Sequence, residues 1–250
     1  MYPYDEVDKV LRNRHSNRGD KIKIVVSGIH YPMSIMRYFI SALQARDDVD
    51  LWTCGPFTGN YIPWGGGMQI FSKHIHTPNL PFSVQTIDQK LSSVILKNQL
   101  PWKPDIFMVI DAGWHFKDRP YAENVILIET DPHVLKNRYN EIADVVDKVY
   151  CMQKVYSRPT DRYLPYCACS EFHYPEEYEK EYDVCLIGLQ YEHRTKLLNR
   201  LDGLKVFYSI GQVFDEYREI YNKSRIAFSW SSKLDLIARE IGRASCRERV

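Results

Sequence analysis

Short β-branched runs that end in glycine or aspartate alternate along this chain with stretches carrying one apolar helical face. That alternation constrains the fold more than any other feature. "KIKIVVSG" (21–28) has the length and composition of a buried parallel strand and stops at Gly28. Pro32 and Ser34 then introduce a helix whose expected inner face is Ile35, Tyr38, Phe39, Ala42 and Leu43. "VDLWTCG" (49–55), "DIFMVIDAG" (105–113), "NVILIETD" (124–131) and "KVYCM" repeat the strand pattern. Helices are expected over 88–100 and 133–144, and 56–82 reads as a long irregular segment rich in glycine, proline and aromatics. Its "GGG" at 65–67 lacks the context of a phosphate-binding loop and reads as part of an acceptor loop.

The rhythm breaks at "YLPYCACSEFHYPEEYEKEYD" and then restarts. The strands "DVCLIGL", "LKVFYSIG" and "RIAFSWS" enclose the helices "YEHRTKLLNRL" and "VFDEYREIYNKS". Within the second helix Tyr217 and Tyr221 stand at i, i+4 and read as packing residues. Two successive units of this kind predict an α/β protein with two Rossmann-like domains facing across a cleft. Residues 1–20 form an N-terminal extension, 21–175 the first domain, and 176–239 the start of a second that is incomplete.

The final residues, "IGRASCRERV", break the pattern differently. ATC GGA AGA GCG TCG TGT AGG GAA AGA GTG encodes them and matches a widely used short-read sequencing adapter. Residues 240–250 are therefore expected to be an artefact, with Arg239 the last native residue. The whole chain carries 33 basic and 32 acidic residues. Removing Arg243, Arg247, Arg249, Glu240 and Glu248 leaves 30 against 30. A balanced body without a basic run argues against nucleic acid as a partner. No apolar run approaches the ~20 residues of a membrane span, and the charged N-terminus lacks a signal-peptide core. A cytoplasmic chain with reduced thiols is expected. Cys167, Cys169 and His173 lack the spacing of a metal site, so these cysteines read as small core residues.

The stretch "DVCLIGLQYEHRTKLLNRL", the glycine-ended strand after it, "VFDEYREIYNKSRIAFSWS" and "LDLIAR" resemble the second domain of CgeB-like, spore-maturation-type glycosyltransferases. "ETDPH", "ADVVDKVYCM" and "YLPYCACSEFHYP" resemble that family's first domain more loosely. The likeness covers most of 105–239 and implies the GT-B fold. It implies transfer of a sugar from a nucleotide-sugar donor to a hydroxyl of a glycan, protein or small molecule, with no metal or other cofactor. Gly188 would let the backbone approach the diphosphate. Arg194 would offer a bidentate fork to its oxygens. Arg239 matches the arginine of the family's Arg-Phe-Glu segment, whose glutamate is not Glu240.

On the first domain, His30 follows the first strand and is a candidate general base. Asp131 joins it as a catalytic candidate at another strand end. Trp114, His115 and His133 are candidate acceptor contacts. The alternative function is a non-catalytic glycan- or nucleotide-binding module. A Rossmann oxidoreductase is disfavoured because neither Gly28 nor Gly188 opens a dinucleotide fingerprint. The chain ending at Val250 is expected to be inactive in transfer.

Overall fold

The structure is a computed structural model. It describes residues 21–28, 34–54, 97–98, 100–111, 118–167, 169, 173–188, 192–209 and 216–229, and the backbone of 61–64, 67–70, 82–84, 90–91, 115–116 and 214–215. The terminal segments 1–20 and 230–250, with their expected extension and adapter sequence, lie outside the described residues.

The first strands are β1 (Ile22–Ser27), β2 (Val49–Cys54), β3 (Tyr61–Trp64), β4 (Gly67–Ile70), β5 (Phe82–Val84) and β6 (Lys90–Leu91). There follow β7 (Ile106–Ile110), β8 (His115–Phe116), β9 (Asn124–Glu129), β10 (Lys148–Cys151) and β11 (Arg162–Tyr163). The last three are β12 (Tyr182–Ile187), β13 (Val206–Ser209) and β14 (Ser224–Ala227). Four helices accompany them: α1 (Met36–Gln44), α2 (Pro132–Ala143), α3 (Glu192–Leu198) and α4 (Phe214–Lys223).

Seven strands form one parallel sheet in the order β11-β10-β9-β7-β1-β2-β5. A second parallel sheet has the order β13-β12-β14. The architecture is thus mixed α/β and Rossmann-like, as the strand–helix alternation predicts.

The central strands of the seven-stranded sheet are buried on both faces. Val25, Phe107, Val109, Val125 and Leu127 point to one face, where Tyr139 and Ile142 of α2 cover them. Ile22, Ile24, Val26, Ile110 and Ile128 point to the other, under Met36 and Ile40 of α1. Alternate residues of one strand feed opposite cores, because side chains in a strand alternate in direction. The inner face of α1 matches the one read from the sequence only in part. Met36, Arg37 and Ile40 are its buried residues, with Ile35, Phe39 and Leu43 packing partly beneath. Tyr38 turns aside to a partner described below. In α4 the expected packing pair is present: Tyr217 and Tyr221 are buried, their ring centroids 4.2 Å apart.

Three local expectations need correction. Residues 61–70 are not wholly irregular, since β3 and β4 pair antiparallel from Tyr61 with Ile70 to Trp64 with Gly67. The aromatic and β-branched residues of "YIPW" suit such a ribbon. The helix expected over 88–100 is interrupted by β6, which pairs with β8. A strand pairing remote in sequence overrides a local helical pattern there. Cys54, Cys151 and Cys185 are core residues, but Cys167 is exposed and Cys169 only half-buried. Among the described residues, no helix is long and apolar enough to cross a membrane.

Gly28 is required by close approach. A Cβ there would lie 2.7 Å from the Ile110 carbonyl oxygen and 3.0 Å from the Met36 sulfur. The nearer atom is backbone, so the β1–β7 junction itself must move. Gly28→Ala is expected to lower stability by about 1–3 kcal/mol, as overpacking does. A urea midpoint unchanged from the parent would contradict this packing.

Candidate functional site

The chain passes from β1 to β2 on one side and returns to β7 on the other, so the strand order reverses between β1 and β7. In open parallel sheets, ligands collect at the carboxyl ends of the strands flanking such a reversal. Gly28 follows β1 at this point and Asp111 follows β7. Among the described residues, Asp111 is the one non-glycine with a positive φ, 65°. Aspartate tolerates this region better than most residues, but the conformation must be held by its surroundings.

Two observations show how it is held. The Asp111 N–H donates to the Ile128 carbonyl at 3.0 Å, carrying the β7–β9 ladder one residue past the strand. The Tyr139 hydroxyl donates to Asp111 Oδ1 at 2.8 Å. That hydroxyl also accepts from the N–H groups of Thr130, at 3.1 Å, and Asp131, at 3.2 Å. Burial, and next the Asp111 charge, push the Tyr139 hydroxyl well above the usual phenol range. It therefore stays a proton donor to Asp111 at any working pH. Asp111 itself is half-buried.

Beside this pair, Asp131 is exposed at the start of α2, with Pro132 as the first helical residue. Proline is preorganised for that position and has no N–H to satisfy. His133 is half-buried, its ring 5.4 Å from that of Tyr156. Glu129 ends β9 nearly enclosed and is tied to Arg158 at 2.5 Å, while Arg158 also holds Asp161 at 3.0 Å. Burial raises the Glu129 carboxyl above its ordinary range, against the opposing pull of Arg158.

In the second sheet the carboxyl end of the central strand β12 is again the organised region. Gly188 has φ 145°, a backbone conformation L side chains rarely adopt. Its N–H donates to the Ser209 carbonyl at 2.9 Å, and its own carbonyl accepts from the Tyr208 hydroxyl at 3.2 Å. Arg194 lies in α3 and is buried, only 4% exposed. Its charge acts on the Tyr208 hydroxyl, opposing the rise that burial imposes. The first turn of α3 carries an acidic residue, Glu192, paired with Lys196 at 2.6 Å. Positive charge at this end of the sheet therefore comes from the Arg194 side chain more than from the helix terminus.

Of the residues picked from the sequence, the structure thus brings Gly188 and Arg194 to one strand end, with Tyr208 beside both. It brings the backbone N–H of Asp131 to the Tyr139 hydroxyl, which also holds the carboxylate of Asp111, a residue the sequence did not single out. His30, Trp114 and Arg239 lie outside the described residues. His115 belongs to β8, where its backbone pairs with Lys90. Asp111 was missed because "IDAG" shows an ordinary strand end, and nothing local marks a left-handed residue there. Tyr208 was missed because it sits inside an apolar strand.

Compared with known proteins, the chain matches no family model, no curated protein and no solved structure. What it does must be argued from these two strand ends.

Tyr139→Phe removes one oxygen and strands two backbone donors and a carboxylate. A loss of about 1–3 kcal/mol is expected from the unsatisfied groups. Urea unfolding of the variant measures it, and a loss under a few tenths would show that Asp111 is not held this way.

Proposed function

We propose that the chain is a glycosyltransferase of the two-domain GT-B type. The seven-stranded unit (21–175) takes the acceptor, and the unit beginning at 176 takes the nucleotide-sugar. The observation that carries this reading is the Gly188–Tyr208–Arg194 grouping at the carboxyl end of β12. A glycine there leaves the backbone open to close approach, and a buried guanidinium beside it suits a diphosphate. Arginine offers two parallel N–H groups to phosphate oxygens, and burial strengthens the interaction by lowering the local dielectric.

The chemistry assigned to the two strand ends is a substitution at the anomeric carbon. The bond to the diphosphate oxygen breaks, and its electron pair leaves on that oxygen, where Arg194 stabilises the charge. The new bond forms to the acceptor oxygen, whose proton passes to a carboxylate of the first unit. We assign that role to Asp111 ahead of His30 and Asp131, because Asp111 stands at the strand-order reversal with its carboxylate fixed by Tyr139. No step here calls for a metal ion.

Binding of the donor's common part is the direct test. Pyrophosphate and the diphosphates of uridine, guanosine, adenosine and thymidine are titrated calorimetrically against the chain. At least one nucleotide is expected to bind, with pyrophosphate competing. Arg194→Lys keeps the charge but loses the fork, and should weaken binding about ten-fold or more. Absence of binding by every probe, or affinity unchanged in Arg194→Lys, would sink the reading. Binding of a nucleotide-sugar without transfer of its sugar would favour the non-catalytic module instead.

A further inference from the structure

The segment after β11 meets both sheets at His173. From His173 onward it is strapped along α4. Arg218 Nε donates to Glu176 at 2.8 Å and its guanidinium lies 4.1 Å from the centre of the Tyr174 ring. Asn222 Nδ2 donates to the Tyr174 carbonyl at 3.2 Å, Lys180 bonds the Asn222 carbonyl, and Lys223 pairs with Glu181 at 2.7 Å. This segment therefore travels with the second sheet. On its other side, Tyr38 of α1 reaches across from the first sheet.

His173 sits between them. Its Nε2 is hydrogen-bonded to the Tyr38 hydroxyl at 3.0 Å, and its ring stands edge-on to Tyr217 of α4 at 5.6 Å. Its own N–H donates to the Cys169 carbonyl at 2.8 Å. Nδ1 is enclosed and has no hydrogen-bond partner among the described residues. The charged groups facing the ring are Arg37 from α1 and Arg218 from α4, both buried. Among the described residues, Glu176 lies beside these arginines, and Arg218 engages it at 2.8 Å. A neutral imidazole suits this place. A charged one would carry a proton on both ring nitrogens, the one on Nδ1 without an acceptor, and would add a third cation beside two arginines.

We propose that His173 is a proton-operated joint between the two sheets: neutral, it seats α4 and its strap against α1, and protonated, it releases them. The proposal does not depend on the glycosyltransferase reading. Its pH window follows from the ring's environment. Burial first, then Arg37 and Arg218, hold His173 down to about 4 from an ordinary 6.5. The seated form therefore binds fewer protons than the released form between those values. The stability it contributes is complete above 6.5 and is lost as pH falls from 6.5 toward 4. At pH 5 the released-to-seated ratio should be about 30-fold higher than at pH 7.5.

Amide hydrogen exchange on the 250-residue chain reads this ratio in α1 and α4, once intrinsic rates are corrected for pH. Protection in both helices is expected to fall about 30-fold from pH 7.5 to 5 in the parent and to stay level in His173→Gln. Protection independent of pH in the parent, or an equal fall in the variant, overturns the proposal. Should His173→Gln fail to fold, ring-carbon resonances of the eight histidines decide. One titrating near 4 and displaced by Tyr38→Phe supports the joint, whereas all eight titrating between about 6 and 7 overturn it.

Discussion

Everything in this molecule follows from a parallel sheet that must be buried on both faces. Parallel strands cannot be joined by tight hairpins, so each crossover passes over a face and covers it. In β1 and its neighbours, successive residues feed two different cores, one under α1 and one under α2. Neither face can be given up to solvent or to a ligand. Chemistry is driven to the strand ends, where the ladder stops and backbone groups need other partners.

The polar groups held inside the molecule collect at those ends. Tyr139 spends its hydroxyl on the turn between β9 and α2 and on Asp111 beyond β7. Tyr208 does the corresponding work beside Gly188. Arg37, Arg194 and Arg218 are all buried, and Arg194 and Arg37 lie in the helices that follow β12 and β1. Burying a guanidinium is costly unless it is matched by hydrogen bonds and counter-charge. Arg218 shows its match plainly, in Glu176 and the Tyr174 ring.

Much of the architecture was legible locally. "KIKIVVS", "NVILIE" and "DVCLI" became β1, β9 and β12 within a residue or two, because a doubly buried strand needs consecutive apolar, β-branched positions. Gly188 was legible as a strand terminus, and its φ of 145° supplies the reason for glycine. The short strand β6 was not legible, since its partner β8 lies more than twenty residues away. The inner face of α1 was legible in part: Ile35, Phe39 and Leu43 pack on the sheet as read, but Tyr38 and Ala42 do not. Its helical face mixes apolar residues on two sides, and only contact with the sheet selects Met36 and Ile40 over Tyr38 and Ala42.

By itself, then, the sequence determined most of the strands and helices, that the main sheets are parallel, and that strands stop at Gly28 and Gly188. Those outcomes depend on side-chain shape and on periods of two or 3.6 residues, which are local properties. Tertiary structure alone decided that Asp111 is left-handed and bonded to Tyr139, that Arg194 shares a strand end with Tyr208, and that His173 lies between two arginines. Each of these joins residues far apart in the chain. Their geometry exists only once the strand order is set, and strand order is a global solution to burying every face at once.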